Sequence, residues 1–419
     1  NKKTVILQGH LDMVPQKNSG TQFDFEKDPI EAYIDGEVVT AKGTTLGADN
    51  GMGVAAALAV LEAKDLEHGP IEALFTVDEE TGMTGANELK PGLMEGEILI
   101  NMDSEDEGEL YIGCAGGLET NAFFHYKEES VPSDAKAFNI EVKGLKGGHS
   151  GLDIHLGRGN ANKVLNRILW YANQSIEMRL ATIEAGSLRN AIPREATATV
   201  TVSSSELGEL KNFVNEVSEA VKNELSMVEP DINIEIKDAD MPNSVIDKTT
   251  QDNLIRAIYA CPHGVIRMSD SMEGMVETST NLAVIKIEDG KIRIQTLQRS
   301  AVDTAKEDLG NMIRSVFELA GAEVVHEGAY PGWKPNPDSP ILQTMKDVYS
   351  DNFGKTPKVT AIHAGLECGI ISQAYPGLDM ISFGPTINYP HSPDEEVNIK
   401  TVKKFWDFLV YTLKKVPEK

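Results

Sequence analysis

Three short apolar runs near the start of the chain each end on a histidine or a carboxylate, and this pattern limits the fold more than any other feature. Residues 4–7 lead to Gly9 and His10, 71–77 to Asp78, Glu79 and Glu80, and 97–102 to Asp103. An Ala-rich run of helical character, 53–63, separates the first two. Strands alternating with helices predict a largely parallel sheet with helices on its faces. In such sheets the groups just past the strand ends collect along the edge where ligands bind.

The middle of the chain changes texture. Residues 138–142 alternate like a half-buried strand, and Val164, Leu165, Ile168 and Leu169 repeat at helical spacing. A strand over 197–202 follows. Leu207, Leu210, Phe213, Val217, Val221 and Leu225 then mark a long amphipathic helix, before a strand over 232–236. A similar order recurs, with a helix around 254–258 and strands 282–287 and 292–297. A helix over 309–320 and a strand over 323–326 complete it. Asp289 and Gly290 between the paired strands are a strong hairpin signal. This predicts two related α+β half-units, roughly 137–238 and 241–327. Pro331, Pro335, Pro337 and Pro340 then mark a linker. Beyond it, 359–362, 380–383 and a helix with Val402, Phe405, Leu409 and Leu413 are expected to complete the first sheet. The expected organisation is an α/β domain from 1–136 and 328–419, with an α+β domain of two half-units, 137–327, inserted.

Composition excludes some partners. The formal charge of −26 over 419 residues repels phosphate backbones and anionic membrane surfaces, so no nucleic acid and no membrane is expected as a partner. The longest apolar run near the start, 54–61, is far below the ~20 residues that span a bilayer. Three scattered cysteines, Cys114, Cys261 and Cys368, fit a reducing compartment. With no signal peptide before the first strand, a cytoplasmic location is expected. The start without an initiator Met carries the expectation that an upstream segment is missing or was cut away.

The chemistry lies in the strand ends. Zinc takes ~4–5 nitrogen and oxygen ligands, and two metals ~3.5–4 Å apart need a bridging carboxylate. The candidates are His10 and Asp12, then Asp49 in the glycine-flanked turn 47–51, then Asp78, Glu79 and Glu80, Asp103, and far downstream His391. The glycines of the 47–51 turn are expected to permit close backbone approach. Taken singly, each has a plainer explanation: a hydrogen-bonded histidine, a solvated acidic turn, a tight start to a helix. Residues 103–108 resemble a calcium loop, but the twelfth position is Cys114 rather than Glu, which rejects an EF-hand. Neither HExxH nor a P-loop is present. Taken together, the candidates gain weight because four follow or flank strands at one expected edge.

The segments GHLDMV, TTLGADNGMGVA, FTVDEETGMTGA, INMDSED and HSPDE together resemble the M20 metallopeptidases. CAGG at 114–117, KGGHSG at 146–151 and AIHAGLECG at 361–369 are similar to the branch of bacterial cytosolic aminoacyl-histidine (Xaa-His) dipeptidases. The resemblance implies a zinc-peptidase-like mixed sheet flanked by helices, with the inserted domain as a lid. It implies two Zn²⁺, with Co²⁺ or Mn²⁺ as substitutes. His10 and Asp103 would hold one ion, Glu80 and His391 the other, with Asp49 bridging. Asp12 would orient His10 by accepting its second ring proton. Glu79 would act as general base in hydrolysis of dipeptides by a bridging hydroxide. A deacylase or carboxypeptidase acting on N-acyl amino acids is the alternative within the family. A non-catalytic binding protein is the alternative outside it, disfavoured because every metal and base position carries the expected residue type. The sequence is compatible with a monomer or a homodimer.

The resemblance extends to the lid. Its motifs match the GGHSG segment with His149 and the segment from Arg189 to Pro193 with Asn190, both in the first half-unit. That half carries Ser203, Ser204 and Ser205 where dimeric relatives tend to carry an arginine. The second half has Arg299 at its strand end but no GGHSG. Each half is expected to keep what the other lacks, so that one chain imitates a dimer's two lids. His149 and Asn190 would serve the oxyanion, and Arg299 the substrate carboxylate, with domain closure bringing them to the metals.

Overall fold

The computed structural model describes residues 2–288 and 290–418. They form two compact units, one of residues up to Cys114 with those from Pro331 on, the other Ala115–Tyr330.

The first unit is built on a six-stranded sheet. Strand Val5–His10 lies between Ile71–Thr76 and Ile98–Asn101, parallel to both. Asp379–Ser382 extends the parallel part, Glu109–Cys114 runs antiparallel to it, and Lys358–Ile362 closes the far edge. The sheet is therefore mixed. Val5–His10 is buried along its whole length, which explains its unbroken apolar start: a strand covered on both faces shows no alternation. Helices Ala48–Glu62, Pro340–Phe353, Glu367–Ala374 and Ile399–Lys415 belong to this unit. Ile6, Leu99, Cys114, Trp333, Cys368, Ile371 and Met380 share one core cluster. A small antiparallel sheet of Ala32–Asp35, Val38–Ala41, Glu396–Asn398 and Ile387–Asn388 was not foreseen; its short strands carry too little periodicity to read.

The middle unit carries a nine-stranded antiparallel sheet. Its first half runs Asn233–Asp238, Ala135–Lys143, Ala196–Ser203, Arg179–Ala185 from the edge inward. The second half continues Val276–Glu288, Lys291–Ser300, Gly116–His125, Glu323–Tyr330 outward, with Gly264–Met268 as a side branch on Val276–Glu288. Within each half, the order from the centre is second, third, first and fourth strand, so the two halves mirror each other. Among the described residues they pair at Glu184 with Lys286 and Ala185 with Ile285. Asp289 of the predicted hairpin turn lies outside the described residues, while its flanks Glu288 and Lys291 pair in register.

This order moves the expected boundary. Residues 115–136, read from sequence as part of the outer domain, belong to the middle unit, because Gly116–His125 pairs with strands of that unit on both sides. The first half-unit is thus inserted into the second. Helices Ala161–Ser175, Leu207–Glu224, Lys248–Ala260 and Asp303–Leu319 pack Leu165, Leu210, Leu254 and Ile313 into one shared core. Fully burying each such side chain contributes ~1.5–3 kcal/mol. Asn160 starts the first of these helices, its side chain accepting from the Lys163 N–H at 3.2 Å. No helix among the described residues is long and apolar enough to cross a membrane.

Candidate metal centre

His10 ends the central strand of the first unit and is 2% exposed. Its Nε2 lies 3.2 Å from Asp49 Oδ1 and 3.1 Å from Asp103 Oδ1. His391 mirrors it: its Nε2 lies 3.2 Å from Asp49 Oδ2 and 3.0 Å from Glu80 Oε2. Each imidazole therefore faces its own oxygen of Asp49 and one further carboxylate. All five residues expected as ligands come together.

Local devices hold several of the candidate ligands. The Asp12 carboxylate accepts the N–H groups of Glu79 and Glu80, both at 3.1 Å, and so fixes the loop after strand Ile71–Thr76. The acceptor nearest His10 Nδ1 is the Asp12 main-chain carbonyl at 3.0 Å, with its carboxylate oxygen at 3.6 Å. Asp12 thus orients the ring mainly through its backbone, while its side chain organises the neighbouring loop. Gly47 precedes helix Ala48–Glu62 with φ 77°, a conformation that suits glycine. Gly51 has open space where a β-carbon would stand, so close approach is not its role. His391 itself adopts φ 61°, at a cost of ~1–2 kcal/mol for an L-residue.

Two buried acids that the sequence reading did not single out support the site. Glu395, 2% exposed, closes the HSPDE segment. Its carboxylate accepts the N–H groups of Leu46 at 2.7, Gly47 at 2.9, Ala48 at 2.8 and Asp49 at 3.2 Å. Glu367, fully buried and within electrostatic reach of His10, accepts from Gln8 Nε2 and Thr76 Oγ1, each at 2.6 Å. Membership in the quoted segments HSPDE and AIHAGLECG was the available signal for both. Glu395→Gln is expected to lower the melting temperature and weaken metal binding at least ~10-fold, since the amide presents N–H groups to N–H groups. An unchanged melting curve and metal affinity would remove Glu395 from this role.

The donor set fits a pair of cations. Two donors each ~2.0–2.1 Å from a zinc at the tetrahedral angle stand ~3.3 Å apart, close to the spacings above. Donor atoms of His10, Asp49 and Glu80 all lie within 4.8 Å of one another. Glu80 Oε1 is buried with no hydrogen-bond donor, an expensive state for a carboxylate oxygen unless a cation faces it. Four carboxyl groups, of Asp49, Glu79, Glu80 and Asp103, share this space with two imidazoles.

The electrostatics follow. Burial alone would push His10 down, but hydrogen bonds to Asp103 and Asp49 and their charges lift it to about 12. Hydrogen bonds to Asp49 and Glu80 raise His391 to about 10. Burial opposes ionisation of Asp49, yet contacts from both histidines hold it below the usual carboxylate range. Burial, then the Asp103 charge, pushes Glu79 up to about 9. A cation needs the bare Nε2 lone pair, whereas the metal-free site keeps both imidazoles protonated at pH 7. Metal uptake is therefore expected to release at least ~1 proton at neutral pH, with affinity rising as pH rises. Calorimetry in two buffers of different ionisation enthalpy measures this; uptake without proton release would exclude the histidines as ligands.

The middle unit brings its own predicted residues together. Gly148–His149 pairs with Ala191–Ile192, and the Ser150 N–H donates to the Asn190 carbonyl at 2.8 Å. Asn281, buried, donates to the carbonyls of Arg189 and Ala191 at 3.1 and 2.8 Å and so pins this segment. The Asn190 side chain is exposed. His149 Nδ1 accepts the N–H groups of Gly151 at 3.2 Å and Leu152 at 3.0 Å. The proton therefore sits on Nε2, leaving a donor at the free side of the ring. Burial, then the Arg299 charge, holds this imidazole down at about 4, so it is neutral at pH 7. Arg299 donates from Nε to Ser150 Oγ at 3.4 Å.

Residues 6–415 match peptidase family M20/M25/M40. The chain is 48% identical over 419 residues to the cytosol non-specific dipeptidase of Escherichia coli (strain K12), spanning 100% of this chain and 86% of that protein. The crystal structure of aminoacylhistidine dipeptidase from Vibrio alginolyticus matches with TM-score 0.94 and 51% identity, over 100% of this chain and 85% of that one. An aminopeptidase structure from Bacillus cereus shares the fold at TM-score 0.53 and 16% identity, over 99% of this chain and 81% of that one. With the match running through nearly the whole sequence and a relative almost half identical from end to end, the chain belongs to peptidase family M20/M25/M40.

Proposed function

We propose that this chain is a dinuclear zinc dipeptidase of the cytoplasm, acting on Xaa-His or a broader range of dipeptides. The observation that carries this reading is the pair of imidazoles facing opposite oxygens of Asp49, each with a second carboxylate beside it. His10 and Asp103 would hold one ion and His391 and Glu80 the other, with Asp49 shared between them, and Co²⁺ or Mn²⁺ could replace zinc. When bound, the two ions acidify a water and polarise the scissile carbonyl.

The remaining work falls to side chains. Glu79 sits on the Asp12-fixed loop beside the ligand Glu80 but is left out of the ligand set. It takes the proton of the attacking water and passes it to the nitrogen of the leaving amine, where the peptide C–N bond breaks. Its raised affinity for a proton in the metal-free site comes from burial and neighbouring carboxylates. Cations held at those carboxylates would offset that repulsion and favour the ionised Glu79 that a base requires. His149, neutral with its proton on Nε2, donates to the carbonyl oxygen as it gains charge, and Asn190 supplies a second donor. Arg299 takes the free carboxylate of the dipeptide. The names of the Escherichia coli and Vibrio alginolyticus relatives support a cytosolic location and a dipeptide substrate.

The test is a substrate panel on the zinc-loaded protein, with metal content measured in parallel. Free dipeptides, Xaa-His among them, are expected to be cleaved well, and N-acetyl amino acids at least ~100-fold less efficiently in kcat/KM. Preference for N-acetyl amino acids would replace this reading with that of a deacylase or carboxypeptidase. Neither metal nor activity after zinc addition would leave a binding protein.

A further inference from the structure

Arg299 is a buried cation whose partners are neutral. It is 5% exposed. Nε donates to Ser150 Oγ at 3.4 Å, and Nη1 donates to the Tyr330 hydroxyl at 3.0 Å. Among the described residues, no carboxylate stands within ion-pair distance of it. A guanidinium taken out of water without a counter-charge is costly. Its five N–H donors also outnumber these two acceptors, leaving capacity for an anion.

The guanidinium is held by a row of residues across three adjacent strands. Arg299 on Lys291–Ser300 is in register with Gly117 on Gly116–His125, and Gly117 is in register with Tyr330 on Glu323–Tyr330. Side chains in one such row leave the sheet on the same face. At ~4.7–4.9 Å per strand, Arg299 and Tyr330 start two strands apart and meet over the residue between them. That residue is glycine. A β-carbon at Gly117 would stand 2.6 Å from Tyr330 Cζ and 2.8 Å from its hydroxyl oxygen, too close for the ring to stay. The Tyr330 backbone is fixed as well: Lys306, 4% exposed, donates to its carbonyl at 2.5 Å and to Asp303 at 2.7 Å.

We infer that Tyr330 is a positioning residue for recognition of the substrate's free carboxylate. Its hydroxyl fixes the plane of the Arg299 fork, and Gly117 of the CAGG segment is what admits the ring. This rests on the proposed role of Arg299 and goes beyond it by naming the device that sets selectivity for a free C-terminus. Bidentate pairing demands a fixed plane, so a guanidinium free to rotate loses carboxylate selectivity while keeping its charge.

Tyr330→Phe keeps the ring and its packing against Gly117 but removes the hydroxyl. For a free dipeptide, KM is expected to rise about tenfold with kcat nearly unchanged. For the same dipeptide as its C-terminal amide, followed as substrate or competitive inhibitor, affinity should stay at the parent value. Gly117→Ala, which displaces the ring rather than the hydroxyl, should reproduce this selective loss. A merely structural role would lower the melting temperature and weaken both ligands alike, and that result would overturn the inference. Arg299→Ala, measured alongside, separates the two levels. If it discriminates between free dipeptide and amide as well as the parent does, the carboxylate role of Arg299 fails. If it loses discrimination while Tyr330→Phe retains it, the Tyr330 inference alone fails.

Discussion

Replacing Asp49 by alanine is expected to strip both metal ions and take dipeptide hydrolysis to background. Its two oxygens lie 3.2 Å from the Nε2 atoms of His10 and His391, so it is the one side chain common to both halves of the centre. On the proposed assignment, losing it would take one donor from each ion and the negative charge that screens their mutual repulsion. The contrast is His391→Ala, which takes a donor from one ion only. That residue is also half exposed at its side chain, so water can fill the gap. Elemental analysis after gentle purification should find well under one ion per chain in Asp49→Ala and about one in His391→Ala. Two tightly held ions in Asp49→Ala would show that Asp49 does not bridge.

Glu79→Gln is expected to keep both ions and lose a factor of ~10²–10⁴ in kcat. The amide has nearly the same shape, and the loop that carries it is held through the backbone N–H groups of residues 79 and 80 on Asp12, which the substitution leaves alone. What disappears is the capacity to accept a proton. Because the carboxyl is buried beside Asp103, the neutral amide should fit the metal-free protein at least as well as the acid does, so the melting temperature should not fall. Normal turnover with metal bound would move the base to another carboxylate, with Glu80 the nearest choice in sequence.

The parts of this protein legible from sequence share a physical trait. His10, Glu80 and Asp103 could be placed because each follows a short apolar strand, and parallel strands deliver their ends to one edge. Asp49 could be placed because a left-handed glycine and a helix start surround it. His391 was different. It arrives on an irregular segment with two left-handed residues, Tyr389 and His391, where no periodicity exists, and only the late HSPDE segment pointed to it. Glu395, Glu367 and Tyr330 were passed over because they act on partners distant in sequence, and an isolated acid or tyrosine carries no mark of its partner. Strand Gly116–His125 was missed for a related reason. Gly116, Gly117, Glu119 and Asn121 are residue types depleted in strands, so the segment carries little strand signal. In the sheet all three side chains are buried and each makes a hydrogen bond: Thr120 donates to Gln298 and Asn121 to Glu327, each at 2.6 Å, while Glu119 accepts from Gln295 at 3.1 Å.

The same strand has to wait during synthesis. Its partners Lys291–Ser300 and Glu323–Tyr330 leave the ribosome only after the entire first half-unit has been made. At ~5–20 residues per second that delay is on the order of ten seconds or more. For that time the strand is an exposed, unpaired edge beside a half-unit able to assemble its own four strands. An apolar strand in this position would invite pairing with other nascent chains. One that opens on two glycines and carries Glu119, Thr120 and Asn121 is a poor template for such contacts, and its buried polar ladder forms only when its own partners arrive. The insertion of one half-unit into the other thus gives the polar composition of this strand a role in the order of folding as well as in the finished sheet.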